Sequence, residues 1–383
     1  MAQAPAPRAL VNARMLLADG FADGRALLIE NGRIAAIVAE AELPSGVERE
    51  DLGGNTLAPG FVDTQVNGGG GALFNDAPTV ATIATIGAAH RRFGTTGFLP
   101  TLISDDVGVM AAAVEAVGQA MAAGVPGVLG IHIEGPFLNP QRRGIHDAGK
   151  IRALDQAGFA TLTGLRSGRT VVTLAPEQAS SGTIRRLVEA GIIVSAGHTN
   201  ATYRDARSAL DEGLTGFTHL FNAMSPLGVR EPGVVGAALE NGTAWCGIIV
   251  DGRHVDPATL RIALKCRPAE RFMLVTDAMP TVGHSEKSFQ LQGRTILVRD
   301  GVCVDGDGTL AGSDLDMAKA VRNAVAMLGV PLESALAMAS LNPATFLGLD
   351  HRLGRIAAGY DADLVALDGK LEVAATWIAG IRS

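Results

Sequence analysis

The chain has 383 residues, 47% of them hydrophobic and 19% charged, with a formal net charge of −7. That length exceeds what a single hydrophobic core comfortably serves, so one large domain and a smaller one are expected. The acidic balance and an aromatic content of 4% speak against a polyanion-binding face or a base-stacking surface, yet leave room for a small anionic substrate held by a few local cations.

Cys246, Cys266 and Cys303 are odd in number, far apart and in no CxxC pattern. They read as reduced thiols of a cytoplasmic protein. The start, Met1-Ala2-Gln3-Ala4-Pro5-Ala6-Pro7, has no charged segment followed by an apolar one, so no signal peptide is expected. No apolar stretch is long and uncharged enough to span a bilayer. The 48 glycines suit a fold with many strand-to-loop transitions.

The first element pair lies at 26–38, two apolar runs joined by Asn31-Gly32, a strong two-residue hairpin signal. Strand and helix patterns then alternate. Strands are predicted at 57–64, 96–101, 127–134, 170–175, 192–198, 216–220, 244–250 and 272–277. Helices are predicted at 79–93, 105–123, 152–166, 180–190, 201–212, 232–241, 256–266, 314–328 and 332–347. Eight strands in alternation with helices match a (β/α)8 barrel. The run Gly68-Gly69-Gly70-Gly71 follows a strand but lacks the spacing of a dinucleotide-binding turn, which disfavours an open doubly wound sheet. Segment 286–310 reads as a hairpin inserted after the last strand, on the catalytic face. The tail adds short strands at 354–356, 362–367 and 373–378. Strands at both ends of the chain predict a small β-sandwich domain made from residues 1–56 and 349–383, around a barrel of residues 57–348.

Four of the barrel strands stop at one ionisable side chain: Glu134, His198, His219 and Asp277. Apolar strands ending this way are what buried parallel strands look like when their tips face a site. Glu134, His198 and His219 form a ligand set for a metal with a fourth position left open, the catalytic pattern. Asp277 is placed to take a proton from an attacking water and pass it to a leaving group. His146, in a basic loop after Glu134, either polarises a substrate carbonyl or sits in an ordinary solvated loop; the residues leave both open. His254, read at the end of the seventh strand, and Arg230, after the sixth, could grip an anionic group, although Arg230 alone looks like a surface arginine. His132 should lie one layer below Glu134 as a supporting or core histidine. His90 and His351 read as structural, and His284 sits before the inserted segment.

Pro59-Gly60-Phe61-Val62-Asp63 and Ala362-Asp363-Leu364-Val365 resemble the amidohydrolase superfamily. Four further segments are similar to its N-acetylglucosamine-6-phosphate deacetylase family: 132–137 (HIEGPF), 197–201 (GHTNA), 218–224 (THLFNAM) and 275–279 (VTDAM). The resemblance spans nearly the whole chain. It implies Glu134, His198 and His219 as metal ligands, Asp277 as general base and acid, and His146 as the group orienting the acetyl carbonyl. It further implies a homodimer in which Arg230 is donated by the second subunit and joins His254 at the sugar phosphate. Ile145, Asn222, Ala223, Leu310, Ala311 and Gly312 would line the sugar. Many amidohydrolases carry His-x-His on the first strand and hold two metals; here that pair is Gln65-Val66-Asn67, and neutral amides are poor ligands for such ions. One metal is therefore expected, Zn2+ by ligand type, with Fe2+, Mn2+ and Co2+ also fitting. Rival readings are a relative acting on a cyclic imide, a dipeptide or another N-acyl sugar, a sugar-phosphate sensor, and a structural zinc protein.

Overall fold

A computed structural model describes residues 8–383; the expectation for Met1–Pro7 lies outside the described residues. Eight parallel strands form the central sheet in sequential order: Phe61–Val66, Thr95–Ile103, Gly130–Glu134, Arg169–Leu174, Ile193–Ala196, Gly216–Phe217, Trp245–Ile248 and Phe272–Leu274. They are buried along almost their whole length, as strands covered on both faces must be. Helices on the outside bury faces such as Met110, Ala113 and Val117 against them.

The barrel closes between its eighth and first strands through few bonds. Asp277 N–H donates to the Gln65 carbonyl at 3.0 Å, and Asn67 N–H to the Ala278 carbonyl at 2.9 Å. The buried Asp63 carboxyl reinforces this seam, with Oδ2 accepting from the Thr276 hydroxyl at 2.5 Å and Oδ1 from Gln65 N–H at 3.1 Å.

Both termini build a second, eight-stranded sheet. Its hairpin, Gly20–Glu30 with Arg33–Ala39, turns at Asn31-Gly32 as the sequence predicts, with φ of 50° and 78°. Strand Thr56–Pro59 pairs with Arg8–Leu17 on one side and Leu364–Leu367 on the other, joining the two chain ends. The sheet folds back on itself: Ile34 N–H donates to the Tyr360 carbonyl at 2.9 Å, and Met15, Leu27, Ile34, Leu57 and Trp377 share one core.

Several predicted elements need correction. The strand expected at 57–64 is two strands in different sheets, broken at Gly60, where a Cβ would lie 2.2 Å from Thr96 Oγ1. Residues 354–356 form no strand, because Gly354 (φ 83°) bends the chain tightly past Leu341, while Ile356 still packs into the terminal core. The helix expected at 332–347 breaks at Ser340 into Leu332–Ala339 and Leu341–Phe346. The inserted hairpin is instead a four-stranded antiparallel sheet, Ser288–Leu291, Arg294–Arg299, Val302–Val304 and Leu310–Ser313. Its last two strands are too short to show an alternating pattern. Among the described residues no helix is long and apolar enough to cross a membrane.

Candidate active site and metal centre

Each polar tip stands at or just beyond a strand end, at the C-terminal mouth of the barrel. Glu134 is the last residue of the third strand. His198, His219 and Asp277 follow the fifth, sixth and eighth strands with φ of 49°, 32° and 52°. Left-handed backbone costs a non-glycine residue about 1–2 kcal/mol, and such strain persists where surrounding bonds over-determine it. Here the bonds are present: the His198 carbonyl accepts from Asn139 N–H at 2.9 Å, and the Asp277 carbonyl from Ser313 N–H at 2.9 Å.

Glu134 Oε1 lies 2.9 Å from His219 Nε2 and 3.2 Å from His198 Nε2, and the two Nε2 atoms are 3.1 Å apart. Donors about 2.0–2.1 Å from a tetrahedral ion would be spaced about 3.3 Å from one another, so the triangle fits a metal ion. His198 Nδ1 donates to the Arg142 carbonyl at 2.9 Å, which puts the proton there and turns the Nε2 lone pair inward. All three side chains are buried, so they could hold a metal ion in a site with little access to bulk water. Burial alone would raise the Glu134 carboxyl, but the two imidazoles packed against it hold it well below the usual carboxylate range.

Gln65 and Asn67, expected to be poor metal ligands, take a different part. Asn67 Nδ2 donates to Asp277 Oδ1 at 2.7 Å, and Gln65 Nε2 reaches the same oxygen at 3.1 Å and both Glu134 oxygens at 3.1 Å. Their spacing, i and i+2 at the end of the first strand and just past it, puts both on one face; that is the signal the sequence offers. Burial pushes the Asp277 carboxyl up to about 6, with the negative charge of Glu134 adding to it.

His146 is buried, with its ring centroid 4.4 Å from that of His198, and its Nδ1 lies 2.7 Å from Ser104 Oγ. Burial, then the neighbouring His198, holds it well below the usual imidazole range. The solvated-loop alternative for His146 is thereby removed. His254 does not end the seventh strand; it lies in the loop beyond, where its Nδ1 is 2.6 Å from Asp251 Oδ2. Sequence reading missed both partners, Ser104 and Asp251.

A cavity of about 330 Å³ joins these groups. Glu134, His146, His198, His219 and Asp277 line it, as do Ile145, Asn222, Ala223 and His254. Leu310 and Gly312 reach it from the inserted sheet, whereas Ala311 between them turns into the apolar cluster with Ile145 and Leu291. Arg230 is exposed and does not line the cavity of its own chain. His132 lies below the site, with Nδ1 3.0 Å from the Thr64 carbonyl and Nε2 2.7 Å from Thr173 Oγ1, so neither nitrogen faces the metal cluster. His90 is buried against the Gly68 carbonyl, and His284 and His351 lie outside the cavity.

Known proteins share this sequence pattern and fold. Residues 56–382 match the amidohydrolase family and residues 9–57 the NagA composite domain. An N-acetylgalactosamine-6-phosphate deacetylase of Shewanella sp. (strain ANA-3) is 43% identical over 96% of this chain and 95% of its own. The N-acetylglucosamine-6-phosphate deacetylase of Pasteurella multocida superposes with a TM-score of 0.95 at 38% identity, covering 98% of this chain and 99% of that one. A Mycobacterium smegmatis N-acetyl-D-glucosamine-6-phosphate deacetylase, an aspartate-to-alanine mutant in complex with N-acetyl-D-glucosamine-6-phosphate, gives a TM-score of 0.89 at 36% identity, covering 98% and 99%. By sequence and by fold, this chain belongs to the amidohydrolase family.

Proposed function

We propose that the protein hydrolyses N-acetyl-D-glucosamine 6-phosphate to D-glucosamine 6-phosphate and acetate, in amino-sugar catabolism and cell-wall sugar recycling. One observation carries the reading: a metal-ligand triangle, a hydrogen-bonded carboxyl and two histidines converge on a single cavity. The relatives' own named activity, deacetylation of 6-phosphorylated N-acetylhexosamines, supports the substrate class.

In this reading Glu134, His198 and His219 hold one divalent ion, Zn2+ before Fe2+, Mn2+ or Co2+. The bound ion supplies Lewis acidity toward the attacking water and the acetyl carbonyl. Asp277, aimed by Asn67 and Gln65, takes a proton from the water as its oxygen bonds to the acetyl carbon. It then delivers that proton to the amine as the C–N bond breaks. His146 donates a hydrogen bond to the carbonyl oxygen as negative charge builds there. His254, backed by Asp251, binds the phosphate, and main chain around Asn222-Ala223 and Leu310-Ala311-Gly312 lines the sugar beside Ile145. A sugar-phosphate sensor would have no use for a carboxyl held as Asp277 is.

The proposal includes a cytoplasmic homodimer in which Arg230 completes the partner's phosphate site. The exposed Leu227 and Val229, 59% and 104% accessible beside Arg230, support a covering subunit there. Residues 57–348 would carry the chemistry, with 1–56 and 349–383 bracing the barrel. A second reading, the galacto epimer as substrate, is favoured by the Shewanella relative.

Acetate release from the gluco and galacto 6-phosphates, and from unphosphorylated N-acetylglucosamine, tests the reading. The highest kcat/KM is expected for N-acetylglucosamine 6-phosphate. No release from either phosphate by metal-loaded protein would sink it.

A further inference from the structure

The inserted sheet contributes more to the site than a wall. Its first two strands pair Leu291 with Arg294, so Gln292 and Gly293 form the tip, with φ of 49° and 79°. Positive φ at both central residues is the signature of the tight hairpin turn, where Asn, Asp and Gly are the favoured residues. Gln292 is an unusual occupant of the first position, and although the residue is exposed, both polar atoms of its side chain are hydrogen-bonded. Its Oε1 accepts from Asp147 N–H at 3.0 Å, and its Nε2 donates to the Ser104 carbonyl at 3.1 Å. Both partners are main-chain groups of fixed polarity, so the amide has only one orientation.

Those two main-chain groups flank His146. Asp147 follows it directly, and Ser104 holds its ring. Ser104 N–H points at His146 Nδ1 from 3.3 Å and the Ser104 hydroxyl from 2.7 Å. A backbone N–H can only donate, so Nδ1 is the accepting nitrogen and the ring proton sits on Nε2. That tautomer offers an N–H donor from the ring edge left for the cavity. Apolar packing ties the same pieces together: Ile103 before Ser104, Ile145 before His146 and Leu291 before Gln292 share one cluster.

We propose that Gln292, at the tip of the inserted sheet, is a positioning residue that clamps Ser104 to the His146 loop and so fixes His146 as an Nε2–H donor toward the substrate carbonyl. This rests on the function proposed above for His146. Two of the three pieces lie 145 and 188 residues from Gln292 in sequence, and the clamp exists only once the insert has docked. Substrates whose carbonyl must be polarised would then depend on an element outside the barrel.

The test uses the metal-loaded full-length protein and its Gln292→Asn variant. Asn suits the turn at least as well as Gln but is one methylene too short for both bonds, so the fold should hold while the clamp opens. The expected result is an unchanged thermal midpoint, an unchanged metal content, and kcat reduced roughly tenfold with KM little altered. In protein with 15N-labelled histidine, the His146 ring signals (assigned with His146→Gln) should move from a single Nε2–H tautomer toward a mixture. Ser104→Ala should shift the same signals. An unchanged kcat, or a reduced kcat with His146 signals identical to wild type, would overturn the proposal. Because the tautomer is read without substrate, absence of turnover in wild-type protein would count against the functional reading and leave the clamp to be decided by the ring signals.

Discussion

Asn67 Nδ2 lies 2.7 Å from Asp277 Oδ1, so the residue just past the first barrel strand aims the carboxyl that follows the eighth. Two distant stretches of sequence thus meet at the carboxyl proposed to carry the proton, across the seam where the barrel closes.

That bond stabilises the ionised carboxyl, so its loss must raise the Asp277 pKa. Asn67→Ala should move the acid limb of kcat/KM to higher pH, because the base then deprotonates later. A fall in kcat of roughly 10- to 100-fold should accompany it through lost aim. A pH profile with an unmoved acid limb would show that Asn67 does not act on Asp277.

The seam also has a pH signature in stability. Burial pushes the Asp63 carboxyl up to about 7, against 3.8 for the ordinary group. Between those values the folded state keeps a proton that the unfolded chain releases, so this contribution is present below the lower value and is lost as pH rises through about 7. Asp63→Asn, which cannot ionise, should show a shallower decline of the thermal midpoint from about pH 5 to about pH 8 than wild type. Asp63→Ala should cost about 1–3 kcal/mol at about pH 5 by leaving the Gln65 and Thr276 donors unpaired, and that cost should shrink as pH rises through about 7.

Asp251 Oδ2, 2.6 Å from His254 Nδ1, fixes the orientation of the imidazole at the phosphate end of the proposed site. Asp251→Asn should raise KM for the phosphorylated sugar roughly tenfold while leaving kcat within about twofold. An equal loss with the unphosphorylated sugar would contradict a phosphate role.

Arg230 can be assigned to its subunit by mixing. Arg230→Ala alone should raise KM by roughly 10- to 100-fold, the worth of charged hydrogen bonds to a phosphate. Co-assembled with an Asp277→Asn subunit, it should regain wild-type KM at one of the two sites, since that site joins an intact Asp277 to the partner's Arg230. A mixture no better than the separate variants would place Arg230 in its own chain's site, or in none.

The metal triangle and Asp277 are legible in the sequence because an apolar strand rarely ends on a lone ionisable residue unless that residue faces a site. Their supporting residues are not. Ser104, Asp251 and Gln292 sit in loops and a turn, where polar residues are ordinary, and each acquires meaning only from a partner brought close by folding. Gln65 and Asn67 stand out as poor ligands, but their donation to carboxylates depends on the eighth strand lying against the first. Alternation of strands and helices suffices for the barrel. The fate of Thr56–Pro59 depends on pairing with the far-removed Leu364–Leu367, which no local pattern encodes.

The site stands or falls on one metal ion held by Glu134, His198 and His219, with Asp277 as the proton carrier. Titrating chelator-stripped protein with Zn2+ while following acetate release from N-acetylglucosamine 6-phosphate tests it directly. Activity should rise to a plateau at one ion per chain, and Asp277→Asn should bind the same single ion without releasing acetate. A plateau at two ions, or full activity in the stripped protein, would contradict a single-metal site.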